Sequence, residues 1–183
     1  MVAVSVLAVD ERIRCAELVR CAWGDSAPES VAYHDEEWGT PLHGDDALFE
    51  RLCLEAFQSG LSWITILRKR PAFRAAFAGF SIDAVAEFGP EDEARLLDDA
   101  GIVRNRAKIE ATINNARRYL ELVEETGSLA TYVWSYEPSA SARPTKLDYD
   151  ALISATTSPE SVAMSKDLRK RGWAFVGPTT AYA

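Results

Sequence analysis

Apolar positions along the chain recur mostly at helical spacing, and almost nowhere do they alternate as they would in a half-buried strand. Over 45–59 the residues Leu48, Phe49, Leu52, Cys53, Ala56 and Phe57 fall on one wide arc at about 100° per residue. Asp45 or Asp46 can cap this helix, with Glu50 nearby, and Gly60 ends it. Ser62 can cap a following helix, Trp63 to Arg70, that stops before Pro71, although Trp63-Ile64-Thr65-Ile66 would also suit a strand. Short helices are expected over 84–88 and 91–99. A long one follows from Arg104 to about Thr126, with Ile109, Ile113, Ala116, Leu120 and Val123 on one face and Gly127 as its stop. A further ordered piece begins at Tyr132, and another helix runs from Ser161 to Arg171. Val9 to Arg20 reads as a short amphipathic helix. Residues 33–39, rich in aromatic and acidic residues without period, read as a structured loop whose rings either plug the core or line a pocket. The sum of these elements is an all-α protein.

One position does not belong to the apolar pattern around it. Glu55 lies at the edge of the arc beside Leu48, a few residues before Trp63. Two readings stay open: a rim residue whose head snorkels into water, or a pocket carboxylate beside an indole, which then needs donors for its oxygens.

Composition narrows the class. At 183 residues, 48% hydrophobic and 26% charged, the chain suits one domain or two small lobes sharing a cleft. A net charge of -8 argues against a general polyanion binder but leaves local basic patches. These lie at Arg68-Lys69-Arg70 with Arg74, at Arg104, Arg106 and Lys108, at Arg117-Arg118, and at Lys166 with Arg169-Lys170-Arg171; each is also compatible with a solvated helix face. The N-terminus lacks a basic region ahead of its apolar residues, and three cysteines make no disulfide framework, so a reduced, cytoplasmic protein is expected.

The segment Leu96 to Ile109 places Ala100-Gly101-Ile102 between two helices. A tight turn there exposes N–H groups at a helix N-terminus, which favour an anion, with basic residues following at once. It resembles a helix-hairpin-helix element that grips a DNA backbone without reading sequence, and an ordinary helix–helix turn is the alternative.

Six ordered motifs carry a wider resemblance: Arg20-Cys21-Ala22-Trp23, Ala32 to Gly39, Cys53-Leu54-Glu55, Ser59 to Trp63, Ala100 to Ile109, and Ser165 to Gly172 with Phe175-Val176-Gly177. Together they resemble the 3-methyladenine DNA glycosylase I (Tag) family of the helix-hairpin-helix superfamily, over residues 20–183; residues 1–19 lie outside the likeness. The resemblance implies a two-lobed helical domain with a base-binding cleft, acting on double-stranded alkylated DNA as a monomer. The implied reaction flips out and hydrolytically releases 3-methyladenine, without lyase activity. It implies that Glu55 is the catalytic-site carboxylate that hydrogen-bonds the adenine edge. Tyr33 and Trp63 contact the base, with Trp23 and Trp38 beside them, and Gly101, Val103, Arg104, Arg106 and Lys108 meet the DNA backbone. The family lacks the catalytic Asp that wider helix-hairpin-helix glycosylases place after the hairpin, so catalysis driven mostly by the leaving group is the expectation drawn from it. A non-catalytic module that binds methylated DNA or free modified purine through the same pocket is the competing expectation.

Two departures stand out. Cys21 and His34 match two ligands of a structural zinc site whose other His and Cys come from a C-terminal tail in the family, and this chain ends at Ala183 with only His43 as a further histidine. Zinc is therefore expected at most as a half-site, with the tail missing or the metal lost. Ser30 stands where many relatives have tyrosine, which alters one wall of the pocket.

Overall fold

A computed structural model describes residues 20–21, 23–143, 145 and 155–183. The helix expected over 9–20 lies outside the described residues. Among them are nine α-helices, one 3₁₀ turn and no strand, in agreement with the all-α reading. The chain divides into two compact units, Met1–Thr40 and Pro41–Ala183.

In the first unit, α1 (Pro28–Glu36) takes in the first part of the expected loop, while residues 37–39 remain a turn. Its apolar period is weak, which hid it, but Pro28 at the first helical position is pre-set for helix and has no N–H to leave unbonded.

The second unit is built on α2 (Asp45–Gln58), which packs against α3 (Trp63–Ala76), α6 (Arg106–Thr126), α7 (Leu129–Trp134) and α9 (Pro178–Tyr182). Phe49 and Phe57 are fully buried on it, and each contributes about 1.5–3 kcal/mol of apolar burial. Helix α3 does not stop at Pro71. It runs a further turn because Phe73 and Ala76 bury into the core, where Phe73 meets Phe57 at 4.6 Å between ring centroids, and that packing outweighs the hydrogen bond that proline removes. The 3₁₀ turn Ala78–Phe80, α4 (Ile82–Ala86) and α5 (Pro90–Asp98) follow, and α4 and α5 both lie on α6. Helix α8 (Pro159–Lys170) packs on α9, a helix absent from the sequence reading.

Asp45 and Asp46 do not cap their own helix; Gly44 holds that place. Asp45 instead accepts from the N–H groups of Leu129 and Ala130 at the start of α7 and from the Tyr119 hydroxyl. Burial pushes its carboxyl up, but those three donors outweigh it and hold it below the ordinary range. Asp46 likewise accepts from Ile82 N–H at the start of α4. Two acids that look local in sequence thus fix the positions of two other helices around α2.

Candidate functional site

Glu55 is only 8% exposed, so its carboxylate does not snorkel to the rim; the position at the edge of the arc is buried because α2 is covered on several sides. Burial pushes its carboxyl up to about 7, against which the positive charge of Arg51 holds it down. Arg51 precedes Glu55 by four residues and so shares its face of α2. The Arg51 guanidinium carbon also sits 5.6 Å from the centroid of the Trp63 ring, within cation–π range. Arg51, which the sequence reading passed over, links the carboxylate to the indole, and its spacing from Glu55 was the signal that could have found it.

The linker between the two groups is rigid for local reasons. Leu61 N–H donates to the Gln58 carbonyl at 2.6 Å, with Ser59 at φ -47, ψ 115 and Gly60 at φ +82, the geometry of a type II turn. Glycine is required at that positive φ. Lys108 then fastens the end of α2, its ammonium donating to the carbonyls of Phe57 at 2.8 Å and Ser59 at 2.6 Å. Lys108 is 7% exposed, and desolvation lowers its pKa. This corrects the expectation that Lys108 meets the DNA backbone: its charge satisfies helix-end carbonyls. The neighbouring Cys53 thiol is buried and pushed far up by desolvation, which removes it as a nucleophile.

The turn between α5 and α6 is pinned in the same manner. Lys69 donates to the carbonyls of Ala100, Gly101 and Ile102, and Gly101 N–H donates to Asp99 Oδ1. A Cβ at Gly101 would lie 2.9 Å from both the Ala72 Cβ and Asp99 Oδ1, so the close approach to α3 requires glycine. Asn105 caps α6 by accepting from Lys108 N–H. Of the residues expected at a backbone contact, Arg104 is exposed, Arg106 is exposed but paired with Glu93, and Gly101 and Val103 are half-buried. Other basic residues are structural: Arg117 donates to the carbonyls of Ala86 and Phe88, and Arg171 pairs with Asp167 and Glu125. A groove walled by Phe88, Pro90, Glu93, Glu110, Ile113 and Arg117 contains neither Glu55 nor Trp63.

The first unit gathers the remaining candidates. Trp23 packs against Tyr33, His34 and Trp38 at 6.1, 5.1 and 5.2 Å between centroids, and His34 stacks on Trp38. Tyr33 is buried, whereas Trp23 and Trp38 are exposed. Asp35 receives a two-pronged bond from Arg20, which together with His34 holds its carboxyl down at about 2. Ser30, in place of a ring, is buried and accepts from Ser26.

Cys21 and His34 are neighbours, but as a hydrogen-bonded pair: Cys21 N–H donates to His34 Nε2 at 3.4 Å, and His34 Nδ1 lies 3.0 Å from Asp35. Among the described residues no third His, Cys, Asp or Glu joins them as a metal-binding group. Two donors, with both imidazole nitrogens engaged, do not fit a tetrahedral zinc site.

Residues 23–183 match the family model for methyladenine glycosylase. DNA-3-methyladenine glycosylase 1 of Escherichia coli (strain K12) is 44% identical over 167 residues, which span 90% of this chain and 87% of that protein. A crystal structure of 3-methyladenine DNA glycosylase I superposes with a TM-score of 0.82 at 42% identity, covering 90% of this chain and 89% of the other. A point variant of 3-methyladenine DNA glycosylase I in complex with 3-methyladenine gives 0.77 at 36% identity, over 90% and 88% of the two chains.

Proposed function

This chain belongs to the methyladenine glycosylase family, and from that premise we infer how it works: it is a DNA N-glycosylase that releases 3-methyladenine from alkylated DNA. The observation that carries the mechanism is a carboxylate buried on α2 whose Arg51 neighbour reaches the Trp63 ring. The N3-methylated nucleotide is cationic until its glycosidic bond breaks. Stacking on Trp63 is worth about 1–3 kcal/mol, and the positive charge adds about 1–2 kcal/mol over a desolvated indole. Glu55 accepts hydrogen bonds from the adenine edge, and its anion favours the charged base over neutral adenine.

In the reaction, water attacks the sugar C1′. The electron pair of the C1′–N9 bond goes to the purine, which departs as neutral 3-methyladenine, and the water loses a proton to solvent. The leaving group supplies most of the driving force, so Glu55 serves as a holder of the base rather than as a proton donor, and no lysine of the site is free for Schiff-base chemistry because Lys108 is bound to carbonyls. Arg104 and the N–H groups at the start of α6, with Gly101 and Val103 in the turn before it, are the proposed grip on duplex DNA phosphates. The protein is proposed to act as a cytoplasmic monomer.

The test is release of free 3-methyladenine from alkylated duplex by wild type, Glu55→Gln and Trp63→Ala. Each substitution is expected to lower kcat/KM about 10- to 100-fold with the fold intact. Tight binding by wild type without release would instead identify a damage-binding module. Because Cys21 and His34 do not fit a zinc site, exhaustive chelation is expected to leave release and melting temperature unchanged; a loss of either on metal removal would restore zinc to that pair.

A further inference from the structure

The indole that is to carry a cationic purine already carries a cation of the protein itself. Arg51 lies over Trp63 at 5.6 Å, and from the same face of α2 its charge acts on Glu55. We propose that Arg51 is an intramolecular competitor for the base site, which makes displacement from Trp63 and Glu55 the step that selects a positively charged purine. This rests on the reading of Glu55 and Trp63 given above.

The argument is one of charge. On this proposal the purine takes the Trp63 face that the guanidinium covers, so it must replace the guanidinium–indole contact and the pull of the Arg51 charge on Glu55. A cationic methylated base replaces both interactions in kind, since it too has a charge over the ring and donors for the carboxylate. Neutral adenine replaces neither charge interaction, so Arg51 retains the ring. Once the glycosidic bond is broken the base is neutral 3-methyladenine, and the balance reverts to Arg51, which returns and clears the product. One side chain thereby sharpens selection before the bond breaks and hastens release after it, because the charge of the ligand changes in between. The planar guanidinium suits this role, since it stacks on a ring as the purine does.

The experiment measures inhibition of release by free 3-methyladenine and by adenine, for wild type, Arg51→Met and Arg51→Gln, with melting temperatures. Both variants are expected to be inhibited by the neutral bases at concentrations about three- to tenfold lower than wild type, with a smaller change in KM for the methylated duplex. A second, neutral but polar, variant guards against loss of fold in the first. Folded variants whose inhibition by the bases is unchanged or weaker would overturn the proposal while leaving the glycosylase reading intact. If wild type released nothing, tryptophan fluorescence with the free bases would decide: tighter binding in the variants supports the competitor and sinks the catalytic reading, and no binding in any form sinks both.

Discussion

Glu55 shows how one residue ties stability to activity. Its folded-state pKa, about 7, lies above the ordinary value because burial disfavours the anion. The folded protein therefore holds this proton over a pH range where the unfolded chain has lost it. Stability is greatest below the ordinary carboxylate range, falls as pH rises toward about 7, and is flat beyond it, a cost on the order of 3 kcal/mol. Glu55→Gln is expected to melt higher than wild type at pH 8, and the two to converge at pH 4.5 in thermal scans. Activity has the opposite slope. The anion is the form that favours a cationic base, so kcat/KM for the alkylated duplex rises through about pH 7, and that rise is absent in Glu55→Gln. His34 teaches a different lesson: a histidine that matches a metal ligand in pattern is here held by Cys21 N–H and Asp35 and stacked on Trp38.

At the scale of elements, the turn from α2 to α3 sets the position of Trp63 after Glu55, and lysine caps reinforce both turns of the site. Lys108 closes the C-terminus of α2, and Lys69 closes the turn before α6. Lys108→Met keeps the stem and removes the ammonium, leaving the buried Phe57 carbonyl and the half-buried Ser59 carbonyl without that donor. Denaturant unfolding is expected to show a loss of about 2–3 kcal/mol, and kcat should fall because the Gln58–Leu61 turn loosens. Retention of full stability would mean that water replaces the lysine. The sequence reading placed α2 and the turn at Gly60 well, because apolar spacing and a glycine stop are local signals. It missed the continuation of α3 past Pro71, where Phe73 packs on Phe57, and it missed α1, whose weak apolar period gave no sign of a helix.

For the molecule as a whole, a net charge of -8 means that the proposed grip on DNA depends on local cations, of which Arg104 before α6 is the exposed one assigned to a phosphate above. Arg104→Glu is expected to raise KM for the alkylated duplex several-fold at low salt and to flatten the dependence of log KM on log salt, while inhibition by free 3-methyladenine stays unchanged. Inhibition that changed with Arg104 would place that side chain at the base rather than at a phosphate. By itself the sequence determined the all-α class, the central helix around Glu55, the two glycine turns and the family, since these depend on spacing along one chain and on ordered motifs. Only the tertiary structure decided which charges are available. Glu55 could be rim or pocket in pattern and Lys108 looks like part of a basic patch, yet both are buried, Asp45 caps a helix 84 residues away, and Arg51 meets an indole twelve residues on. The fate of a charge depends on which groups surround it in space, and periodicity along the chain carries no record of those neighbours.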